Sequence, residues 1–127
     1  MFTKCWHIGI SVSDMERSVA FYRDVLGFEV LDTGEAFEEE DKPLDLQGVH
    51  LLATALKSGD IQLELLQFLS PPGEKRAPKM NQAGCVHMAL ASDQDIHHLY
   101  EQLLRAGVEV TAPPQADQNF EGLYFMF

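Results

Sequence analysis

Three side chains capable of binding a metal ion lie in three separate apolar segments of the sequence. His7 stands in CWHIGISV, Glu64 in IQLELLQFL and His87 in CVHMAL. Two imidazoles and one carboxylate form a donor set that suits a divalent first-row metal. A carboxylate in the middle of LELL is also costly to bury unless it is paired or bound to a cation. Taken alone, however, a strand histidine is more often a hydrogen-bonded residue than a ligand.

An internal repeat places the two histidines at equivalent positions. An ungapped offset of 80 residues aligns segment 5–30 with segment 85–110. The five identical pairs are Cys5 with Cys85, His7 with His87, Gly27 with Gly107, Glu29 with Glu109, and Val30 with Val110. The repeat predicts two copies of one supersecondary unit.

Each copy predicts a strand, a helix and a second strand. The opening strands, 5–12 and 85–91, are short, apolar and partly β-branched. The helices that follow have four candidate N-caps: Asp14 or Ser13 in the first copy, and Ser92 or Asp93 in the second. Gly27 and Gly107 are expected to end the helices. Strands then resume at 28–33 and 108–112.

The rest of the first copy predicts a β-hairpin. An acidic loop at 34–45 leads to a strand near 49–56, a turn at 57–60 and a strand at 61–69. The first unit is therefore predicted as βαβββ. A proline-containing linker joins it to the second unit, which ends after a proline loop in a strand at 123–127.

Alternation along the strands separates an apolar face from a smaller, more polar one. Glu64 shares its face with Gln62 and Leu66, opposite Leu63 and Leu65. His7 and His87 likewise lie opposite the larger apolar residues of their strands, which are Trp6, Ile8 and Ile10 in one and Val86, Met88 and Leu90 in the other. We expect the apolar faces to pack on helices and the other faces to line a cavity. Cys5 and Cys85 share the histidine faces, where small buried packing is more typical than ligation.

Composition excludes several classes of function. The 127 residues carry 20 acidic and 9 basic side chains, for a net charge of -11. Such a charge repels nucleic acids and anionic membranes, and no apolar run reaches the roughly 20 residues that a membrane span needs. Two cysteines do not form a disulfide scaffold. We expect one cytoplasmic domain with a small-molecule substrate.

The segments HIGISVSDMERSVAFYRDVLGFEV and LELL, with GCVHMAL before a helix that ends in RAGVEV, resemble the vicinal oxygen chelate superfamily. This superfamily includes glyoxalase I, methylmalonyl-CoA epimerase, extradiol dioxygenases and bleomycin-resistance proteins. The resemblance implies an α+β fold in which paired βαβββ modules form a curved mixed sheet, a half-barrel, around a metal. It divides the single domain 1–127 into module one (1–69), a linker (70–83) and an incomplete module two (84–127).

The resemblance also implies the site residues. His7, Glu64 and His87 match the family's ligands for a divalent ion, either Zn, Ni, Co, Mn or Fe. Glu64 resembles the glyoxalase I glutamate that also acts as a catalytic base. The family's fourth ligand, a glutamate on the final strand, has no counterpart, because Glu121 precedes Gly122 and is expected in a loop.

A glutamate at position 64 is similar to the glyoxalase and epimerase patterns. It implies a metal-dependent lyase or isomerase, in a homodimer, that abstracts a proton α to a metal-bound carbonyl and stabilises an enediolate. The epimerase's second acid falls near His50, where no carboxylate stands. Two alternatives stay open: a non-catalytic, resistance-type binding protein of the same fold, and an Fe(II) extradiol-type dioxygenase.

The repeat also predicts how long the second unit should be. A second unit as long as the first would run roughly twenty residues past Phe127, so the second module is about one strand short. Four interpretations remain: a truncated sequence, a three-ligand site, a sheet closed by a partner chain, or lost catalysis.

Overall fold

Residues 1–41, 44–74, 79–116 and 122–127 are described in a computed structural model of the chain. Contacts between residues divide the chain into two units, Met1–Ala77 and Pro78–Phe127. Each unit has its own secondary structure and is described by itself.

The described residues of the first unit form four strands and one helical segment. In chain order they are β1 (Ile8–Ser11), α1 (Met15–Ala20), a π-helical turn (Phe21–Val25), β2 (Glu29–Asp41), β3 (Leu46–Ser58) and β4 (Ile61–Ser70). The strands form one curved, open sheet in the order β1-β4-β3-β2. β1 is parallel to β4, and the other neighbours are antiparallel. This arrangement confirms the predicted α+β class and the βαβββ order of the first unit.

The helical segment formed by α1 and the π-helical turn begins at Asp14, one of the two predicted caps, and ends before Gly27, as predicted. The side chain of Asp14 caps it by accepting a hydrogen bond from the backbone N–H of Arg17. Gly27 follows the π-helical turn with a φ of 74°, in the left-handed region that favours glycine. Tyr22 contacts Phe21 and Phe28 edge to face, and burial raises the pKa of its hydroxyl.

The acidic segment from residue 34 to residue 41 forms the second half of β2. The expectation of a loop over 34–45 is therefore wrong for most of that range. β2 runs to Asp41 because it pairs with β3 along nearly its whole length, from Glu29 opposite Lys57 to Asp41 opposite Leu46. Backbone hydrogen bonding along this hairpin outweighs the low strand propensity of its acidic residues. β2 is also an edge strand, where charged side chains discourage pairing with another chain.

The core of the first unit lies between α1 and the central strands. Leu56, Leu63 and Leu65 are 0% exposed, and α1 packs against β3 and β4. The side chain of Gln67 ties the helix to the sheet, since its Oε1 accepts a hydrogen bond of 2.7 Å from the Met15 N–H. Burial of these leucines therefore sets which face of β4 meets the helix.

The second unit contains α2 (Ile96–Arg105), β5 (Gln115–Ala116) and β6 (Leu123–Tyr124), and β5 pairs antiparallel with β6. α2 ends before Gly107, whose φ is 79°, as predicted. Its N-cap is Asp95, so the expected caps Ser92 and Asp93 are wrong. The Asp95 carboxylate reaches the N–H groups of His97 and His98, whereas the Ser92 hydroxyl accepts from Gln94 instead.

Three expected strands of the second unit differ in the structure. Segments 85–91 and 108–112 are not strands, and the expected strand at 123–127 is reduced to β6. Comparison with the first unit gives a physical reason why segment 85–91 is not a strand. β1 is hydrogen-bonded to β4, whereas no strand of the described residues pairs with segment 85–91. An isolated strand without a partner leaves its backbone groups to water.

Gly27 gives a direct test of this fold. We expect Gly27→Ala to lower the free energy of unfolding by about 1–2 kcal/mol, because an alanine resists positive φ. Gly34 in β2 is the matched control, since its φ is not positive and an added Cβ would meet no atom within 4 Å. Gly34→Ala should leave stability unchanged or raise it slightly. Equal losses in urea unfolding of the two variants would contradict the assigned helix end.

Candidate metal-binding site

Two of the three predicted ligands come together in the first unit. His7 directly precedes β1, and Glu64 lies in the middle of β4, the strand parallel to β1. The Nε2 atom of His7 is 3.3 Å from Oε2 of Glu64. Their side chains are 38% and 36% exposed, so the pair is open to solvent on one side.

The alternation along β4 explains why Glu64 faces this way. Leu63 and Leu65 are fully buried, whereas Gln62, Glu64 and Leu66 are only half-buried. Successive side chains of a strand point to opposite faces, so Glu64 lies on the face away from α1. Gln67, which reaches α1, lies on the other face and confirms the assignment.

Small residues flank Glu64 on both neighbouring strands. In the register of the sheet, Gly9 of β1 and Ala55 of β3 stand directly beside Glu64. A Cβ added at Gly9 would meet only the side chain of Leu66, at 3.9 Å. The Glu64 carboxylate therefore has free space on either side along the row.

The geometry of the pair fits a shared divalent ion. Two ligands that each lie about 2.0–2.2 Å from one ion, at tetrahedral or octahedral angles, are about 3.0–3.5 Å apart. The His7–Glu64 separation of 3.3 Å falls in this range. A neutral imidazole nitrogen and a carboxylate oxygen are also donors that first-row metals accept. The two side chains that the structure brings together thus fit half of a four-coordinate metal site.

His87, the third predicted ligand, belongs to the second unit and is exposed. Its segment is not a strand, and Val86, expected on a covered apolar face, is 83% exposed. Within the parts of the chain that the structure describes, no three His, Cys, Asp or Glu side chains form a group that could hold a metal. The assignment of His87 therefore still rests on the sequence repeat.

The other candidate residues differ from the His7–Glu64 pair in their contacts or in the face of the sheet that they occupy. Cys5 is exposed, and its thiol contacts the backbone oxygen of His7 at 3.5 Å, so buried packing is wrong for this cysteine. His50 lies on the α1 face of β3, where it is 2.6 Å from Glu35 and stacks on Phe37. It therefore points away from the face of Glu64. Glu121 lies outside the described residues.

A groove of about 680 Å³ lies on the opposite face of the sheet, between α1 and strands β2 and β3. It contains neither His7 nor Glu64. Among the described residues that line it, the single cation is Arg23, which is held by both carboxylate oxygens of Asp24, at 2.6 and 2.7 Å. This ion pair raises the pKa of Arg23 and lowers that of Asp24. Glu35 lines the groove and is 2.6 Å from Nε2 of His50, which is a direct hydrogen-bond distance and shorter than the separation of two ligands of one ion, so this second pair fits a metal less well than His7 and Glu64 do.

Sequence reasoning missed the role of Gln67, which positions α1 over the sheet. The available signal was a polar residue on the otherwise apolar face of strand 61–69. Alternation alone could have identified that residue as facing the helix, but only the fold shows the Met15 N–H as its partner.

Comparisons with known proteins agree on one superfamily. The profile described as "Glyoxalase/Bleomycin resistance protein/Dioxygenase superfamily" matches residues 5–127. An uncharacterized protein of Bacillus subtilis, YwkD, is 34% identical over an alignment of 114 residues that covers 87% of this chain and 77% of YwkD. No helix in the described residues is long and apolar enough to cross a membrane.

Solved structures show the same fold at low sequence identity. A glyoxalase family protein from Bacillus cereus has a TM-score of 0.81 at 18% identity, with 94% of this chain and 82% of that chain covered. The trypanothione-dependent glyoxalase I of Leishmania major has a TM-score of 0.64 at 21% identity, with coverage of 98% and 78%. The fosfomycin resistance protein FosX of Listeria monocytogenes, complexed with Mn(II) and sulfate, has a TM-score of 0.63 at 16% identity, with coverage of 98% and 84%.

The exposure of the His7–Glu64 pair predicts that the pair contributes little to stability. We expect Glu64→Gln to change the free energy of unfolding by less than about 1 kcal/mol, the range typical of polar pairs that are open to solvent. Leu63→Ala, one residue earlier, should cost about 2–5 kcal/mol because it empties a fully buried position. Urea unfolding of both variants measures the difference. A large loss for Glu64→Gln would mean that the pair is a structural element.

Proposed function

Because the chain belongs to the glyoxalase/bleomycin resistance protein/dioxygenase superfamily, we propose that it is a metal-dependent lyase or isomerase that removes a proton α to a substrate carbonyl. The superfamily contains many metalloenzymes, and its members bind small-molecule substrates and divalent metals. The finer assignment to glyoxalase- or epimerase-type chemistry is supported by one observation above all. His7 and Glu64 converge at 3.3 Å on the face of the sheet that the helix leaves open.

We assign His7, Glu64 and His87 as the ligands of a divalent ion. The first two are supported by their distance and by the space beside Glu64. His87 is supported by its place in the repeat, 80 residues after His7. A bound divalent ion supplies a Lewis acid that stabilises negative charge on a substrate oxygen.

Glu64 is the proposed catalytic base. Its carboxylate can accept a proton from a substrate carbon that lies over Gly9 or Ala55, the two small neighbours in its row. His7, whose Nε2 atom is 3.3 Å from that carboxylate, would keep it beside the substrate by binding the same ion. Because the β4 backbone is paired on both sides, Glu64 is carried by a rigid element of the sheet.

The domain organisation, the localisation and the oligomeric state are also proposed from membership of the superfamily. We propose one domain with module one at 1–69, a linker at 70–83 and module two at 84–127, acting as a cytoplasmic homodimer. Superfamily members often form dimers.

Metal content and proton exchange test the proposal together. The full chain, purified with Mn²⁺, Ni²⁺, Co²⁺ or Zn²⁺, should hold about one ion per chain by mass spectrometry of the metal. In D2O it should introduce deuterium α to the carbonyl of the hemithioacetal of methylglyoxal and glutathione, or of methylmalonyl-CoA. His7→Ala and His87→Ala should lose the metal, and Glu64→Gln should slow exchange by about 100-fold or more.

His97→Ala is the matched control, because the structure assigns the His97 backbone N–H, not its imidazole, to the cap of α2. It should retain metal and exchange. Metal content and exchange that survive both His7→Ala and His87→Ala would overturn the proposal. Saturable ligand binding that a chelator leaves unchanged, without exchange, would indicate a binding protein instead. Oxygen consumption with a catechol and iron would indicate a dioxygenase.

A further inference from the structure

A β-bulge in the edge strand β2 changes which of its residues faces the candidate site. The register of β2 against β3 passes from Val30 opposite Leu56 to Asp32 opposite Ala55, so Leu31 is the extra residue. Leu56 is buried on the α1 face. In an uninterrupted strand, Asp32 would share the face of Val30 and point towards the helix. The bulge instead places Asp32 on the face of Ala55 and Glu64.

The register sets Asp32 in one row with Glu64. Along this row Gly9, Glu64, Ala55 and Asp32 are neighbours on β1, β4, β3 and β2. Two strand spacings separate Asp32 from Glu64, which corresponds to about 10 Å between their backbones. The only side chain between the two carboxylates in the row is the methyl group of Ala55. A small molecule that lies along this row can therefore reach both.

The local hydrogen bonds of Asp32 leave one carboxylate oxygen available. Oδ1 accepts a hydrogen bond of 2.9 Å from the backbone N–H of Thr33, which holds the side chain at the bulge. Among the described residues, Oδ2 has no hydrogen-bond partner. The bulge also leaves Leu31 45% exposed, which costs apolar burial without improving the core. Bulges commonly re-aim side chains beside functional sites.

Charges on this face favour a cationic group near Asp32. Lys57, the described lysine on the same face, stands directly opposite Glu29 in the register, so the two opposite charges are cross-strand neighbours. Asp32 stands opposite the uncharged Ala55. The chain as a whole carries a net charge of -11, which favours cationic over anionic ligands.

We infer that Asp32 is a specificity-determining residue that binds an ammonium group of the substrate. The inference rests on the proposed function, in which the reacting oxygens of that substrate lie at His7 and Glu64. The substrate class is thus a carbonyl compound with an aliphatic amine about 10 Å from its reacting oxygens, the distance set by two strand spacings. A charge-assisted hydrogen bond to Oδ2 supplies the recognition.

Three hydroxamates test this inference by binding alone. Hydroxamates present two neighbouring oxygens to a metal, and hexanohydroxamate can carry a terminal ammonium, methyl or carboxylate group. Calorimetry with the manganese-loaded full chain should show that the ammonium compound binds about tenfold more tightly than the methyl compound. The carboxylate compound should bind more weakly than both. The preference for ammonium should weaken as salt rises.

The Asp32→Asn variant separates the role of Asp32 in binding the ammonium group from its role in the structure of the bulge. Asparagine retains an oxygen for the Thr33 N–H but loses the charge, so the bulge and the free energy of unfolding should be unchanged. The ammonium preference should fall to roughly twofold or less, while the methyl compound binds as before. Glu39→Gln, which removes a charge further along β2, is the matched control and should keep the preference.

The outcomes distinguish this inference from the proposed function. Equal binding of the three hydroxamates to the unaltered chain, or an ammonium preference that Asp32→Asn retains, would overturn the role of Asp32 alone. Absence of binding for all three compounds, or binding of the methyl compound that His7→Ala leaves unchanged, would overturn the metal site and with it the inference.

Discussion

Burial of Leu63 and Leu65 beneath α1 is the constraint on which the rest of the first unit depends. Because these two leucines must leave water, Glu64 between them is turned to the opposite face. Parallel pairing of β1 with β4 then brings His7 to the same face, 3.3 Å from the carboxylate. A core packing requirement thus positions a polar pair on the opposite face of the sheet.

The two faces of the sheet serve different purposes. The α1 face carries large apolar residues and the Gln67 hydrogen bond that holds the helix start. The other face is built from small residues around Glu64, with Asp32 brought in by an irregularity at the sheet edge. Open space beside a carboxylate is what a metal ion and a substrate require, and the strand backbones make that space rigid.

Sequence periodicity predicted the first unit well because its signals are local. The βαβββ order, the Asp14 cap and the helix end at Gly27 each follow from a few neighbouring residues. The acidic half of β2 could not be predicted in this way, since its strand structure comes from pairing with β3. The prediction of a strand at 85–91 was wrong for a related reason. A strand needs a hydrogen-bonded neighbour, and no local sequence pattern records whether one is present.

The features of the candidate site can be sorted in the same way, into those that a local pattern predicts and those that the tertiary structure decides. Alternation in LELL by itself determined that Glu64 opposes the buried leucines, and the repeat by itself related His7 to His87. Only the tertiary structure decided that His7 meets Glu64, that Gly9 and Ala55 leave room beside it, and that Asp32 lies in the same row. The physical reason is that register and bulges are set by hydrogen bonds between distant segments, whereas alternation is a property of each strand alone.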